Sequence, residues 1–145
     1  MIKGLFERLL GAGDSAATDA DARRALTALL VRVARADFVY DAAAQAQIDK
    51  VVSRRYGLSP AETEALRQEA ESLEAEAPDT VRFTRVIKDA VPYDERIGVI
   101  EALWSVVLAD AERDAHEDAL LRMVANLLGV SDRDSNLARQ RASGA

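Results

Sequence analysis

Carboxylates are the one residue class in this chain that gathers with the density of a chemical site. Asp37 and Asp41 stand four residues apart, and Asp110, Glu112, Asp114 and Glu117 crowd together further along. Hard cations such as Ca²⁺ and Mg²⁺ require several oxygens, and acids bunched on a short turn can supply them. These six residues are therefore the candidate metal ligands, and a divalent cation is the one cofactor they suggest. The alternation at 110, 112 and 114 imitates the start of an EF-hand loop. However, Ala115 stands where that loop needs glycine, and Leu121 stands where it needs its closing glutamate. A plainer reading competes. Asp41 and Asp114 precede helix-forming residues and serve as N-caps at the positive helix end, while Asp37 and Asp110 pair with nearby arginines or face water.

Other chemistries find little support. The chain has no cysteine, which removes thiolate metal sites, cysteine nucleophiles and disulfides. His116 is the single histidine; in the first turn of a helix beside Glu117 and Asp118 it reads as a surface residue rather than a ligand. With no hydroxyl partner evident for it, a nucleophilic triad is unsupported. There is no P-loop and no GxGxxG. No catalytic and no cofactor-binding residue is assigned. A carboxylate-dependent or metal-assisted hydrolase is the alternative, favoured by nothing beyond the abundance of Asp and Glu.

The elements that carry the acids repeat. Val33-Ala34-Arg35-Ala36-Asp37-Phe38-Val39-Tyr40-Asp41-Ala42 has a counterpart in Val106-Val107-Leu108-Ala109-Asp110-Ala111-Glu112-Arg113-Asp114-Ala115. Each copy runs on through an apolar-periodic stretch to a small terminator, Gly57-Leu58-Ser59 and Gly129-Val130-Ser131. The spacing points to a duplicated helix, acidic turn, helix unit.

Apolar residues recur at three- and four-residue steps nearly everywhere, and period-2 runs are missing, so the chain reads as all-α. One helix is expected over about Asp19 to Ala36, buried through Leu26, Leu29, Leu30 and Val33. Asp41 caps the next, which carries Ile48, Val51, Val52 and Tyr56 and stops at Gly57. Ser59-Pro60-Ala61-Glu62 is a capping box with proline at the first helical position. The helix it opens holds Glu62, Glu64, Glu69, Glu71, Glu74 and Glu76, which read as a solvated face. Pro78 and Pro92 bracket a short helix with Val81, Phe83, Val86 and Ile87. A sixth helix follows, with Ile97, Ile100, Leu103, Trp104 and Val107, ending near Asp110. A seventh begins at Asp114 and stops at Gly129. A short last helix starts at Ser131, with a tail expected to fray beyond about Arg139. At the front, Ile2, Leu5, Phe6, Leu9 and Leu10 form an apolar stripe closed by Gly11-Ala12-Gly13.

A chain of 145 residues suits one domain. The expected layout is an N-terminal helix and linker over 1–18, then a helical domain over 19–142, giving a single-domain bundle of about seven to eight helices with an internal helix-hairpin pseudo-repeat. The net charge of −6 opposes nucleic-acid binding. No run reaches the ~20 apolar residues that span a bilayer, and Glu7-Arg8 interrupts any export signal, so no stable membrane insertion and a cytoplasmic location are expected.

The turns resemble the TerB-like family, which includes tellurite-resistance TerB proteins and the N-terminal domain of DjlA-type co-chaperones. That family's pattern is Ala-Asp-Gly followed by a glutamate seven positions after the aspartate, closing at Gly, an apolar residue and Ser. Ala109-Asp110, Glu117 and Gly129-Val130-Ser131 match it, and Ala36-Asp37 with Gly57-Leu58-Ser59 match it in part. Phe38 and Ala111 stand in place of the glycines, and Ala44 in place of the first glutamate. The resemblance covers roughly residues 22–137. It implies an all-helical cytoplasmic protein, tied to metal or oxyanion stress in some members, and no known reaction. Without His-Pro-Asp the chain carries no J-domain. The expectation is a non-enzymatic, stress-associated module that binds a protein partner through its acidic turns.

Overall fold

Leu26, Leu29, Leu30 and Val33 make one apolar stripe, and Ala25, Ala28, Val31 and Ala34 fill the gaps between them. A helix apolar all round must be surrounded, and all eight residues are buried. This is α1 (Asp19–Asp37). The computed structural model describes residues 18–37, 40–109 and 115–143; the side chains of Asp37 and of residues 115–118 lie outside that description. Around α1 pack α2 (Ala42–Tyr56), α3 (Pro60–Glu76), α4 (Val81–Ala90), α5 (Tyr93–Leu108) and α6 (Ala115–Leu127), while α7 (Asp132–Ala142) lies against α5 and α6. Among the described residues there is no strand. The fold is all-α, as the periodicity requires.

The duplication runs one helix further than the two acidic turns suggest. α1 pairs with α2 and α5 pairs with α6, and the cross-contacts α1–α6 and α2–α5 are equivalent under exchange of the two halves. The third helices match as well, because α3 packs on α1 and α2 as α7 packs on α5 and α6. Local chemistry repeats with them. Gly57 and Gly129 end α2 and α6 in the left-handed region, at φ 65° and 74°. There the amides of Leu58 and Val130 reach back to the carbonyls of Ser53 and Ala125. Ser59 and Ser131 then cap α3 and α7, each hydroxyl accepting at 3.1 Å from the amide three residues on, Glu62 and Asp134. At Ser59 the box is complete, since its own amide donates to Glu62 Oε1 at 2.9 Å. The bond from the Ser59 amide, and after it the Ser59 hydroxyl beside the carboxyl, hold Glu62 below the ordinary carboxylate range. Two like three-helix units thus pack against each other, with α4 as the connecting helix.

Two sequence expectations need correction. The acidic face of α3 is not simply solvated. Glu69 takes Arg24 at 2.8 Å, and Glu74 takes both Arg32, at 3.0 Å, and Arg35, all three arginines reaching out from α1. A helix as apolar as α1 can meet a carboxylate-rich neighbour only through such arms. The second correction is at the end of the chain, where α7 continues past Arg139 to Ala142. The Arg141 Nε bond to Glu101 Oε1 at 2.8 Å ties its last turn to α5.

Ser59→Ala and Ser131→Ala should each lower stability by about 1 kcal/mol in urea unfolding, as loss of an N-cap does. A Ser131 variant as stable as the parent would show that the second unit lacks the first unit's cap.

Candidate functional site

The first acidic turn is the part of the predicted site that the structure describes. Asp37 is the last residue of α1. Asp41 adopts extended backbone (φ −107°, ψ −173°), and its Oδ1 accepts from the amide of Ala44 at 3.0 Å. It caps α2 while its side chain stays exposed.

Beneath Asp41, the chain is fastened by a polar network that the sequence analysis did not single out. Tyr40 is half-buried and donates its hydroxyl to Glu71 Oε2 at 2.6 Å. The same oxygen accepts from Gln45 Nε2 at 3.3 Å and from Arg67 Nη1 at 3.0 Å. Arg67 is buried, and its Nε donates to Asp49 Oδ1 at 2.8 Å. Above the Tyr40 ring lies the Arg35 guanidinium, 4.8 Å from the centroid. Side chains from α1, α2 and α3 therefore converge on the residue next to Asp41. Burial of the phenol, followed by its bond to Glu71 and that carboxylate's charge, pushes the Tyr40 pKa well above the ordinary tyrosine range. A buried arginine needs paired carboxylates to offset its desolvation, and Asp49 and Glu71 supply them. The signal was present in spacing: Gln45 and Asp49 are four apart on α2, as Arg67 and Glu71 are on α3, which places each pair on one face.

The other predicted ligands are not brought together by anything described. Asp110, Glu112 and Asp114 lie outside the described residues, as does the side chain of Glu117 in the first turn of α6. Those of His116 and Phe38 lie outside them too. Among the described residues no three of His, Cys, Asp and Glu are grouped as a metal ion would need. Trp104 is buried in the core, and its Nε1 donates to Ser135 Oγ at 3.2 Å. Ser135 stands where the first unit has the buried Thr63.

Two packed three-helix units, with acids between the first and second helix of each, define an all-helical class of duplicated bundle. A family model described as tellurite resistance protein TerB matches residues 23–140, from α1 into α7, and the chain belongs to that family. Searches of curated proteins and of solved structures return no match.

Because Tyr40 holds its proton more tightly folded than unfolded, its contribution is complete below the ordinary tyrosine pKa of about 10 and is lost progressively as pH rises from there towards the raised folded value. The melting temperature of the parent should therefore fall more steeply between about pH 9 and pH 11 than that of Tyr40→Phe. Parallel falls would show that the phenol is not held by Glu71.

Proposed function

We propose that this TerB-family protein is a non-enzymatic, stress-associated module that engages a protein partner through its acidic turns. A divalent cation is the candidate ligand of Asp37, Asp41, Asp110, Glu112, Asp114 and Glu117, and tellurite or metal stress is the setting the family description suggests. The observation that supports this best is the first turn. An exposed carboxylate, Asp41, stands on a foundation fixed by three helices, which is the arrangement of a presented surface rather than of a closed reaction chamber. Preorganised charge of this kind favours recognition, because little ordering remains to be done on binding.

The TerB family is not a known enzyme family, which agrees with a binding role. No helix among the described residues is long and apolar enough to cross a membrane. A cytoplasmic protein partner fits the acidic surface, and nucleic acid does not. In this reading residues 19–142 form the interacting domain, preceded by a separate helix and linker over 1–18.

Calorimetric titration with Ca²⁺, Mg²⁺, Mn²⁺ and Zn²⁺ tests the cation, and affinity capture from the producing cells tests the partner. At least one ion should give saturable heat and raise the melting temperature, by about 2.7 kcal/mol of added stability at a hundredfold excess over Kd. Asp110→Asn/Glu117→Gln should lose both the heat and the captured protein. Absence of heat with all four ions removes the cation, and capture unchanged in the double variant removes the turns as the contact.

A further inference from the structure

The helix that joins the two units sits in a place whose counterpart is open. α4 lies across α1 against α5 and α6, with Phe83, Val86 and Ile87 buried beneath it. On α1 it meets Arg32, whose guanidinium lies 5.4 Å from the Phe83 ring centroid. On α6 its neighbour is Leu127, which shares a shallow cleft with Val81 and Thr84. The pairing of Asp37 with Asp110 carries Arg32 onto Ser105 and Leu29 onto Ala102 in α5. The pairing of Gly57 with Gly129 carries Leu127 onto Arg55 and Met123 onto Val51 in α2. Ser105, Ala102, Arg55 and Val51 all line one groove of about 660 Å³ between α2 and α5, with Ala142 and Ser143 of the α7 terminus at its edge. In the described residues no helix occupies it.

The chemistry of this groove differs from that of the filled one. Its α5 floor is small, with Gly98, Ala102 and Ser105 where α1 carries Ala25, Leu29 and Arg32, so large side chains from outside have room. Its α2 wall is cationic, with Lys50, Arg54 and Arg55. Among the described residues neither Lys50 nor Arg54 is paired with a carboxylate. Arg55 lies over Gly98, where an added Cβ would come within 3.2 Å of its Nη1, and its buried Nε has no hydrogen-bond partner. The acid on the opposite wall, Glu101, is already held by Arg141 at 2.8 Å.

We propose that the α2–α5 groove is the docking site for an acidic amphipathic helix of a partner protein, seated as α4 is seated on the other unit. The proposal rests on the partner-binding reading above and gives that partner a second contact, apart from the acidic turns. Apolar side chains of the incoming helix enter above Ala102 and Ser105, and its carboxylates meet Lys50 and Arg54 on the α2 wall, a helix-in-groove mode of recognition. Charge selects this occupant over the chain's own amino-terminal stripe. Lys3, Glu7 and Arg8 net to a cation, which the wall repels.

The test places a photocrosslinking benzoylphenylalanine at position 105 of the whole chain in the producing cells, with position 64 on exposed α3 as control. Crosslinked segments are sequenced, and the captured segment is synthesised and titrated against purified protein by fluorescence anisotropy. The expected segment belongs to another protein and has apolar residues at three- and four-residue steps flanked by Asp or Glu. Its affinity should drop at least about tenfold for Lys50→Glu/Arg54→Glu, with the melting temperature of that variant near the parent's, and should weaken with added salt. Crosslinks to residues 1–17, to a second copy of this chain, or equally from positions 105 and 64 overturn the proposal. So does a captured peptide whose binding ignores the charge reversal. A partner lost on Asp110→Asn/Glu117→Gln but never crosslinked at 105 keeps the turns as the contact and removes the groove.

Discussion

Everything in the first unit follows from how α1 is surrounded. It is buried so completely that its polar contacts with α3 are made by Arg24, Arg32 and Arg35, and these end on Glu69 and Glu74. Arg32 does more than neutralise a charge. Its Nη2 also donates to the carbonyls of Glu74 and Ala77, at 3.1 and 2.8 Å, at the end of α3, where the Glu74 carbonyl accepts the Ala77 amide as well. Isolated surface ion pairs contribute little. Here one carboxylate is shared by two arginines, and both Arg32 and Glu74 are mostly sheltered, so the arrangement behaves as a fixed joint.

That joint fixes the height of α3 on α1, and α3 in turn positions Arg67 and Glu71. These two hold Tyr40, Gln45 and Asp49, so the backbone entering α2 is set from below. The chain of causes therefore runs from an apolar helix, through its arginines and the acidic helix they recruit, to the orientation of Asp41. In the second unit the corresponding joint is built differently. Trp104 meets Ser135, the Tyr93 hydroxyl donates to Asp134 Oδ2 at 2.8 Å, and Arg141 meets Glu101, so among these contacts are one buried hydrogen bond, one exposed hydrogen bond and one outer ion pair. The two units share a backbone plan while their polar fastenings have diverged.

The helical plan was legible because its signals are local. Ser59-Pro60-Ala61-Glu62 and the two Gly-apolar-Ser stops fix helix ends by hydrogen bonds within a few residues, and leucine spacing fixes the buried faces. The Asp41 cap was legible for the same reason. The role of Glu69, Glu71 and Glu74 was not, since a run of glutamates looks alike whether water or arginine faces it; apart from Arg67 on α3 itself, the partners lie on α1, on α2 and at Tyr40 between them, 26 to 45 residues away in sequence. Nor could spacing show that α3 and α7 complete the duplication, because their sequences differ and only their caps and packing agree. Five of the six candidate ligands have side chains outside the described residues, so the sequence remains the basis for the second turn.

The central claim is that arginines of α1 and carboxylates of α3 act as one joint, and a double-mutant cycle on Arg32→Met and Glu74→Gln measures it directly. Urea unfolding of the four proteins should give a coupling of about 1 kcal/mol or more between the two positions. Effects that add to within about 0.3 kcal/mol would mean that α3 is held on α1 by apolar contact alone, and the account of how the first elbow is positioned would be wrong.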